Sequence, residues 1–165
     1  MKTLYLVRHA KSSWDEPGLS DLERPLAKRG KREAPMMGEI LAKRKEIPEL
    51  IISSPAKRAF STAKRIAKEM NYPVKNIAAD ESLYMGDSED YLKAIGAVND
   101  SVQKLMLLSH NPGVTYFANH ISESEIDNVP TSGVVRIDFE FNSWKEIENQ
   151  KGKLVFFDYP KKYKT

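Results

Sequence analysis

Three apolar runs in this chain each end abruptly in a polar or cationic cluster, and that repetition limits the fold more than any other feature. Leu4-Tyr5-Leu6-Val7 leads into Arg8-His9, Leu50-Ile51-Ile52 into Ser53-Ser54-Pro55-Ala56-Lys57-Arg58, and Leu105-Met106-Leu107-Leu108 into Ser109-His110-Asn111-Pro112. Runs this short and this continuously apolar read as strands buried on both faces. Open α/β sheets are built from such strands, and their ligand sites form at the strands' carboxyl ends. Two histidines and two arginines gathered there make a cationic pocket suited to phosphate.

The stretches between the runs agree with that architecture. Residues 3–8 read as the first strand and residues 11–26 as a loop, since Pro17, Gly18, Ser20 and Pro25 break any period. A basic helix follows over Lys28 to Lys45, with Met37, Ile40, Leu41 and Arg44 on one face; Pro35 either kinks it or marks a later start. Residues 49–53 form the second strand. Ser54-Pro55 then predicts a helix start, serine as N-cap and proline at the first helical position, with Phe60, Ala63, Ala67 and Met70 facing the core. Residues 74–79 read as a third strand, 88–97 as a helix capped by Asp87 or Ser88, and 104–109 as a fourth strand. Asn111-Pro112 repeats the cap-plus-proline signal ahead of a helix through Phe117 and Ile121, and Val134 to Phe141 with Leu154 to Phe157 form a closing strand pair. The expectation is one α/β domain over residues 1–165: a mostly parallel sheet flanked by helices on both faces, with an antiparallel edge.

Composition narrows the function. The chain has no cysteine, which removes disulfides, thiolate catalysis and cysteine–zinc sites. No paired histidine or carboxylate spacing suggests a metal, and no cofactor is implied. A net charge of +3 among 165 residues gives no argument for nucleic acid. The basic clusters at Lys28 to Lys31, Lys43 to Lys45 and Lys161-Lys162-Tyr163-Lys164 read as solvated helix faces and a frayed terminus. No apolar stretch approaches a membrane span and the N-terminus lacks signal-peptide character, so a cytoplasmic protein is expected. The oligomeric state is open, with a monomer the simpler expectation.

Within the pocket, His9 is the candidate nucleophile, because histidine is the side chain here that can attack as a neutral base near pH 7. It would attack phosphorus in line and hold a phosphoryl group that water then removes. Arg8, Arg58 and His110 would bear the charge that grows on the equatorial oxygens. A carboxylic acid is needed to protonate a poor leaving group, and Glu81 is the candidate, with Asp80 and Asp87 as rivals. His120, inside a helix with no cationic neighbours, reads as structural or merely exposed.

These residues resemble the signature of the histidine phosphatase (phosphoglycerate mutase-like) superfamily. The motifs are Leu6-Val7-Arg8-His9-Ala10-Lys11-Ser12, Arg24-Pro25-Leu26 with Gly30, Ser53-Ser54-Pro55 with Arg58 and Thr62, and Ser109-His110-Asn111-Pro112. The short length and the Arg-His-Ala-Lys-Ser variant are similar to SixA-type phosphohistidine phosphatases. The resemblance implies a nucleophile at His9, phosphate ligands at Arg8, Arg58 and His110, and an acid in the region of Glu81. It also places Arg24, Asn111 and the pair Thr131-Ser132 on the substrate side. Where the family carries glycine after the histidine, this chain has Ala10, which would be strained if that backbone position needed positive φ.

Size separates the substrate classes. Larger relatives carry insertions that cover the site, and this chain has little room for a lid, so a phosphorylated side chain displayed on another protein is the expected partner. A small-molecule phosphomonoesterase with the same machinery is the nearest alternative. A non-catalytic phosphate-binding adaptor is another, and the paired histidines argue against it.

Overall fold

The computed structural model describes residues 1–163, so Lys164 of the basic tail lies outside the described residues. Strand β1 spans Lys2–Arg8, β2 Leu50–Ser53, β3 Ala78–Ala79, β4 Lys104–Ser109, β5 Val134–Phe139 and β6 Lys153–Asp158. Helix α1 covers Lys28–Lys43, α2 Lys57–Glu69, α3 Ser88–Gly96 and α4 Gly113–Ser122. The strands form one sheet in the order β3-β2-β4-β1-β5-β6. β1, β2, β3 and β4 run parallel, while β5 pairs antiparallel with both β1 and β6. This is the mostly parallel α/β sheet with an antiparallel edge that the apolar runs predict.

Alternation along β1 explains why its run is apolar throughout. Leu4 and Leu6 point to one face and pack with Leu105, Leu107, Tyr91, Phe117 and Trp144. Tyr5 and Val7 point to the other and pack with Met37, Leu41, Ile66, Met106 and Leu108. Both faces are covered by helices, so each residue of the strand lies against a core. Helices α1 and α2 approach closely because Gly38 faces Ile66: a Cβ at Gly38 would stand 3.0 Å from the Ile66 Cα.

Several local expectations need correction. Helix α1 starts at Lys28 and continues through Pro35, which therefore marks no later start. Residues 74–79 yield only the two-residue strand β3, preceded by a 3-10 turn over Val74–Asn76. Pro55 is not the first helical residue of α2, whose N-cap is Ala56. Pro112 is itself the N-cap of α4, after a cis Asn111–Pro112 bond. Phe60 is half-buried rather than central, and the buried stripe of α2 runs through Ala59, Thr62, Ala63, Ile66 and Ala67. Residues 161–163 are not frayed: Lys162 Nζ donates to the Phe157 carbonyl at 2.8 Å and the Tyr163 hydroxyl to Asp158 at 2.7 Å. Among the described residues, no helix is long and apolar enough to cross a membrane.

Candidate active site

The parallel strands β1, β2 and β4 deliver their carboxyl ends to one edge of the sheet, and the candidate residues lie at those ends. His9 follows β1 directly, and its amide continues the ladder by donating to the Ser109 carbonyl at 3.1 Å. His110 follows β4, and the two imidazole centroids are 5.2 Å apart. Arg58 lies in the first turn of α2, 6% exposed, and the Arg8 guanidinium donates to the Val129 carbonyl at 3.1 Å. Residues 50 to 100 positions apart in the chain thus meet because register, not sequence proximity, aligns the strand ends.

Hydrogen bonds fix the tautomers. His9 Nδ1 sits 2.7 Å from the Ala10 carbonyl, which can only accept, so Nδ1 carries the proton and Nε2 keeps its lone pair. Burial is the main cause that lowers the His9 pKa to about 4; the Ala10 carbonyl opposes it, and Arg58, Arg8 and Arg24 add repulsion. His110 is lowered to about 3, again chiefly by burial, then by His9 and Arg58. Both rings are neutral near pH 7. His110 Nε2 lies 2.8 Å from the Ser54 hydroxyl, which already accepts from the Ala56 amide at 3.2 Å. With Ser54 donating to Nε2, the His110 proton sits on Nδ1.

That Nδ1 has no partner. The buried side-chain nitrogens and oxygens without one, among the described residues, are Arg8 Nε, Arg58 Nε, His110 Nδ1 and Ser132 Oγ. All four belong to residues named from the sequence for this site. Buried polar groups are almost always paired, so four exceptions in one cluster, three of them donors, identify a place built to meet an acceptor-rich group. Ser132 is held there by a left-handed backbone, φ 62°, with its amide shared between the Arg8 and His9 carbonyls.

The loop that follows His9 is tied down on both sides. The Ala10 amide donates to Thr62 Oγ1 at 2.9 Å, and that hydroxyl donates to the Arg58 carbonyl at 2.7 Å. Ala10 is absent from the positive-φ residues, so alanine in place of glycine carries no left-handed strain. Gly30 is where glycine is required, since a Cβ there would stand 2.2 Å from the Lys11 carbonyl.

Other expected contacts fall elsewhere. The Thr131 hydroxyl faces Arg29 at 3.2 Å, in a groove with Glu33 and Tyr159 rather than among the histidines. Asn111 spends its side chain on the fold, donating to Asn128 and Val129 and accepting from Thr115. Arg24 stacks over Trp14 at 3.5 Å and donates to Ser12 and Asp21, bracing the 11–26 loop; its charge reaches His9 but its donors serve the protein. Glu81 is exposed in a 3-10 turn and lies outside the wall of the cavity beside His110. Asp80 caps that turn through the Ser82 amide, and His120 is exposed late in α4.

The sequence reading missed Asp21 and Tyr84. Asp21 accepts from Arg58 Nη2 at 3.0 Å with its carboxylate and from Nη1 at 2.7 Å with its carbonyl. The Tyr84 hydroxyl donates to the same carboxylate at 2.6 Å, and the Tyr84 ring stands edge-on to His110 at 5.6 Å. Tyr84 and then Arg58 hold the Asp21 pKa down to about 2, against partial desolvation. The carboxylate is therefore ionised and no source of protons near neutrality. A cavity of about 490 Å3 opens beside His110, walled by Asp21, Arg58, Tyr84, Met85, Asp87 and Tyr116 among others. No group of three or more His, Cys, Asp or Glu side chains that could hold a metal occurs among the described residues.

Known proteins share this fold. An Agrobacterium tumefaciens protein assigned as the phosphohistidine phosphatase SixA superposes with a TM-score of 0.82 at 29% identity, over 96% of this chain and 98% of its own. The protein histidine phosphatase SixA complexed with tungstate shares the fold, with a TM-score of 0.84 at 23% identity over 98% and 99% of the two chains. An uncharacterized protein of Mycobacterium leprae is 30% identical over 167 residues, 94% of this chain and all of the relative. The family model of the histidine phosphatase superfamily (branch 1) matches residues 4–96, more than half of the chain, and the protein is a member of that superfamily with a SixA-like structure.

Proposed function

We propose that this protein is a phosphatase that uses His9 as nucleophile and acts on protein phosphohistidine. The observation that carries the reading is the His9 ring itself: Nδ1 is committed to the Ala10 carbonyl, Nε2 is left with its lone pair, and burial keeps the ring neutral. In the first step the Nε2 lone pair attacks phosphorus in line. The bond from phosphorus to the leaving atom breaks, and its electron pair stays with that atom. In the second step water attacks phosphorus, the P–Nε2 bond breaks, and inorganic phosphate departs with His9 restored. Arg8, Arg58 and His110 Nδ1–H offer positive charge and donors to the equatorial oxygens without a metal ion, and one such donor is worth on the order of 3 kcal/mol.

The choice of leaving group follows from proton supply. An alkoxide leaves poorly unless an acid protonates it. Asp21 is ionised and Glu81 faces solvent outside the cavity, so neither offers a proton at the reacting centre. A phosphorylated imidazole carries its proton on the ring nitrogen away from phosphorus, so breaking the P–N bond releases neutral imidazole with no added proton. The relationship to an Agrobacterium protein assigned as a phosphohistidine phosphatase supports the same class. A second reading, a small-molecule phosphomonoesterase, draws support from the cavity, whose volume of about 490 Å3 fits a small organic group.

The test is phosphate release from a phosphohistidine peptide against simple phosphomonoesters, with trapping of the phosphoenzyme. The expected result is faster turnover of the phosphohistidine peptide and an acid-labile, base-stable phosphoryl group that disappears in His9→Ala. A clear preference for a small ester would establish the second reading, and no labelling of His9 on any donor would overturn both.

A further inference from the structure

The cavity beside His110 has a lining of mixed character, and the mechanism above uses only part of it. Arg58 and the His110 ring line it together with Asp21, Tyr84, Met85, Asp87 and Tyr116. Residues 80–90 carry Asp80, Glu81, Asp87, Glu89 and Asp90 with no lysine or arginine, so the charge on that rim is uniformly negative. Tyr116 is 68% exposed and Met85 84% exposed, both at the cavity mouth. Asp87 is fixed in place as the N-cap of α3, its carboxylate accepting from the Asp90 amide at 3.1 Å in a capping box. Meanwhile Arg58, nine-tenths buried, keeps Nε unpartnered on the same cavity. The same cavity thus joins a guanidinium nitrogen without an acceptor to carboxylates and tyrosine rings, the groups that hold organic cations.

We propose that this cavity is a subsite for a cationic nitrogen carried on, or immediately beside, the phosphoryl group, so that the preferred substrates are dipolar: phosphoryl at the histidines and positive charge between Asp21 and Asp87. This rests on the reading of the His9 cluster as a phosphoryl site and goes beyond it by naming what sits next to the phosphorus. Two sources supply that chemistry, the protonated leaving group of a phosphoramidate, which in phosphohistidine is the imidazolium ring, or a lysine or arginine flanking the phosphorylated residue. A purely anionic ligand meets repulsion on the Asp87 side, and a plain alkyl chain gains only contact with the tyrosines and Met85.

The test separates binding from turnover. Dissociation constants of 3-aminopropylphosphonate and its near-isostere butylphosphonate are measured by calorimetry for the wild type and for Asp87→Asn. Asparagine caps a helix as well as aspartate, so that substitution removes charge without removing the cap. The ammonium compound should bind the wild type about three- to tenfold tighter, as expected for a partly exposed ion pair with aromatic contact. In Asp87→Asn the ratio should fall toward one, and in the wild type it should shrink as salt is raised. Equal affinities in the wild type, tighter butylphosphonate, or a ratio untouched by the substitution would each overturn the proposal. Phosphohistidine peptides flanked by lysine or by glutamine then identify the source. A lower KM for the lysine peptide assigns the cation to a neighbouring side chain, and equal KM values assign it to the leaving nitrogen. If neither peptide is hydrolysed, the catalytic reading fails while the affinity ratio still decides the subsite.

Discussion

β1 carries two polar clusters along one strand, and they are built in opposite ways. At Thr3 and Tyr5, Arg136 of β5 donates through Nη1 to both Glu46 oxygens at 2.8 and 2.9 Å and through Nε and Nη2 to Asp138 at 3.0 and 2.9 Å. The Tyr5 hydroxyl closes on Glu46 at 2.5 Å and Thr3 on Asp138 at 2.8 Å. Every guanidinium nitrogen there has a carboxylate. A few residues further along, at Arg8 and His9, Arg58 alone of two arginines and two imidazoles pairs with a carboxylate, Asp21, and with Ser132 the cluster leaves four buried atoms unpaired. The first arrangement is complete within the protein and serves the fold. The second is complete only with something bound, and a site that must accept a doubly charged group needs that surplus of donors.

Substitutions can break this contrast. The largest effect should come from His9→Ala: loss of turnover by a thousandfold or more, on the order seen when a nucleophile is removed, with the fold retained. Substantial residual phosphate release would sink the nucleophile assignment. Next is Arg58→Ala, which should lower kcat/KM by roughly a hundred- to a thousandfold; circular dichroism and a melting curve would show whether Asp21, left with Tyr84 and Arg24, also loosens the 11–26 loop. Glu46→Ala should show the reverse pattern, a stability loss of about 1–3 kcal/mol by denaturant titration, discounted for partial exposure, with catalysis nearly intact. If Glu46→Ala abolished activity at unchanged stability, the division between the clusters would be wrong. Ser54→Ala should cost on the order of tenfold in kcat, since it frees His110 to change tautomer.

A separate measurement concerns pH dependence. His9 and His110 titrate near 6.5 when unfolded and at about 4 and 3 when folded, so between those values the unfolded chain binds more protons. Their contribution to stability is full above pH 6.5 and is lost as pH falls toward 4 and then 3. Denaturant midpoints measured from pH 7 to 4 should decline, and His110→Gln should flatten the slope; a wild type insensitive over that window would contradict the neutral, buried pair.

The strand ends were legible in the sequence because a doubly buried strand has to be apolar throughout and has to stop where chemistry begins. That placed Arg8, His9, Arg58 and His110 together without any contact being visible. Local rules misled where a side chain had a distant use. Ser54 reads as a helix cap, but its hydroxyl serves His110, and α2 begins three residues later. Asn111 resembles a substrate ligand, yet it braces Val129 and Thr115. Asp21 and Tyr84 were invisible for the complementary reason: one lies in an aperiodic loop, the other 63 positions further on, and only the folded chain brings the Tyr84 hydroxyl to donate to the Asp21 carboxylate.

β1 has bonded neighbours on both sides, β4 and β5, whereas the 80–90 rim is short turns and solvent-facing carboxylates. Opening the backbone hydrogen bonds under His9 would require dismantling the sheet, while the rim can be rebuilt by changing a few surface side chains. Evolution working on such a scaffold has the reaction anchored and the choice of customer left free to drift.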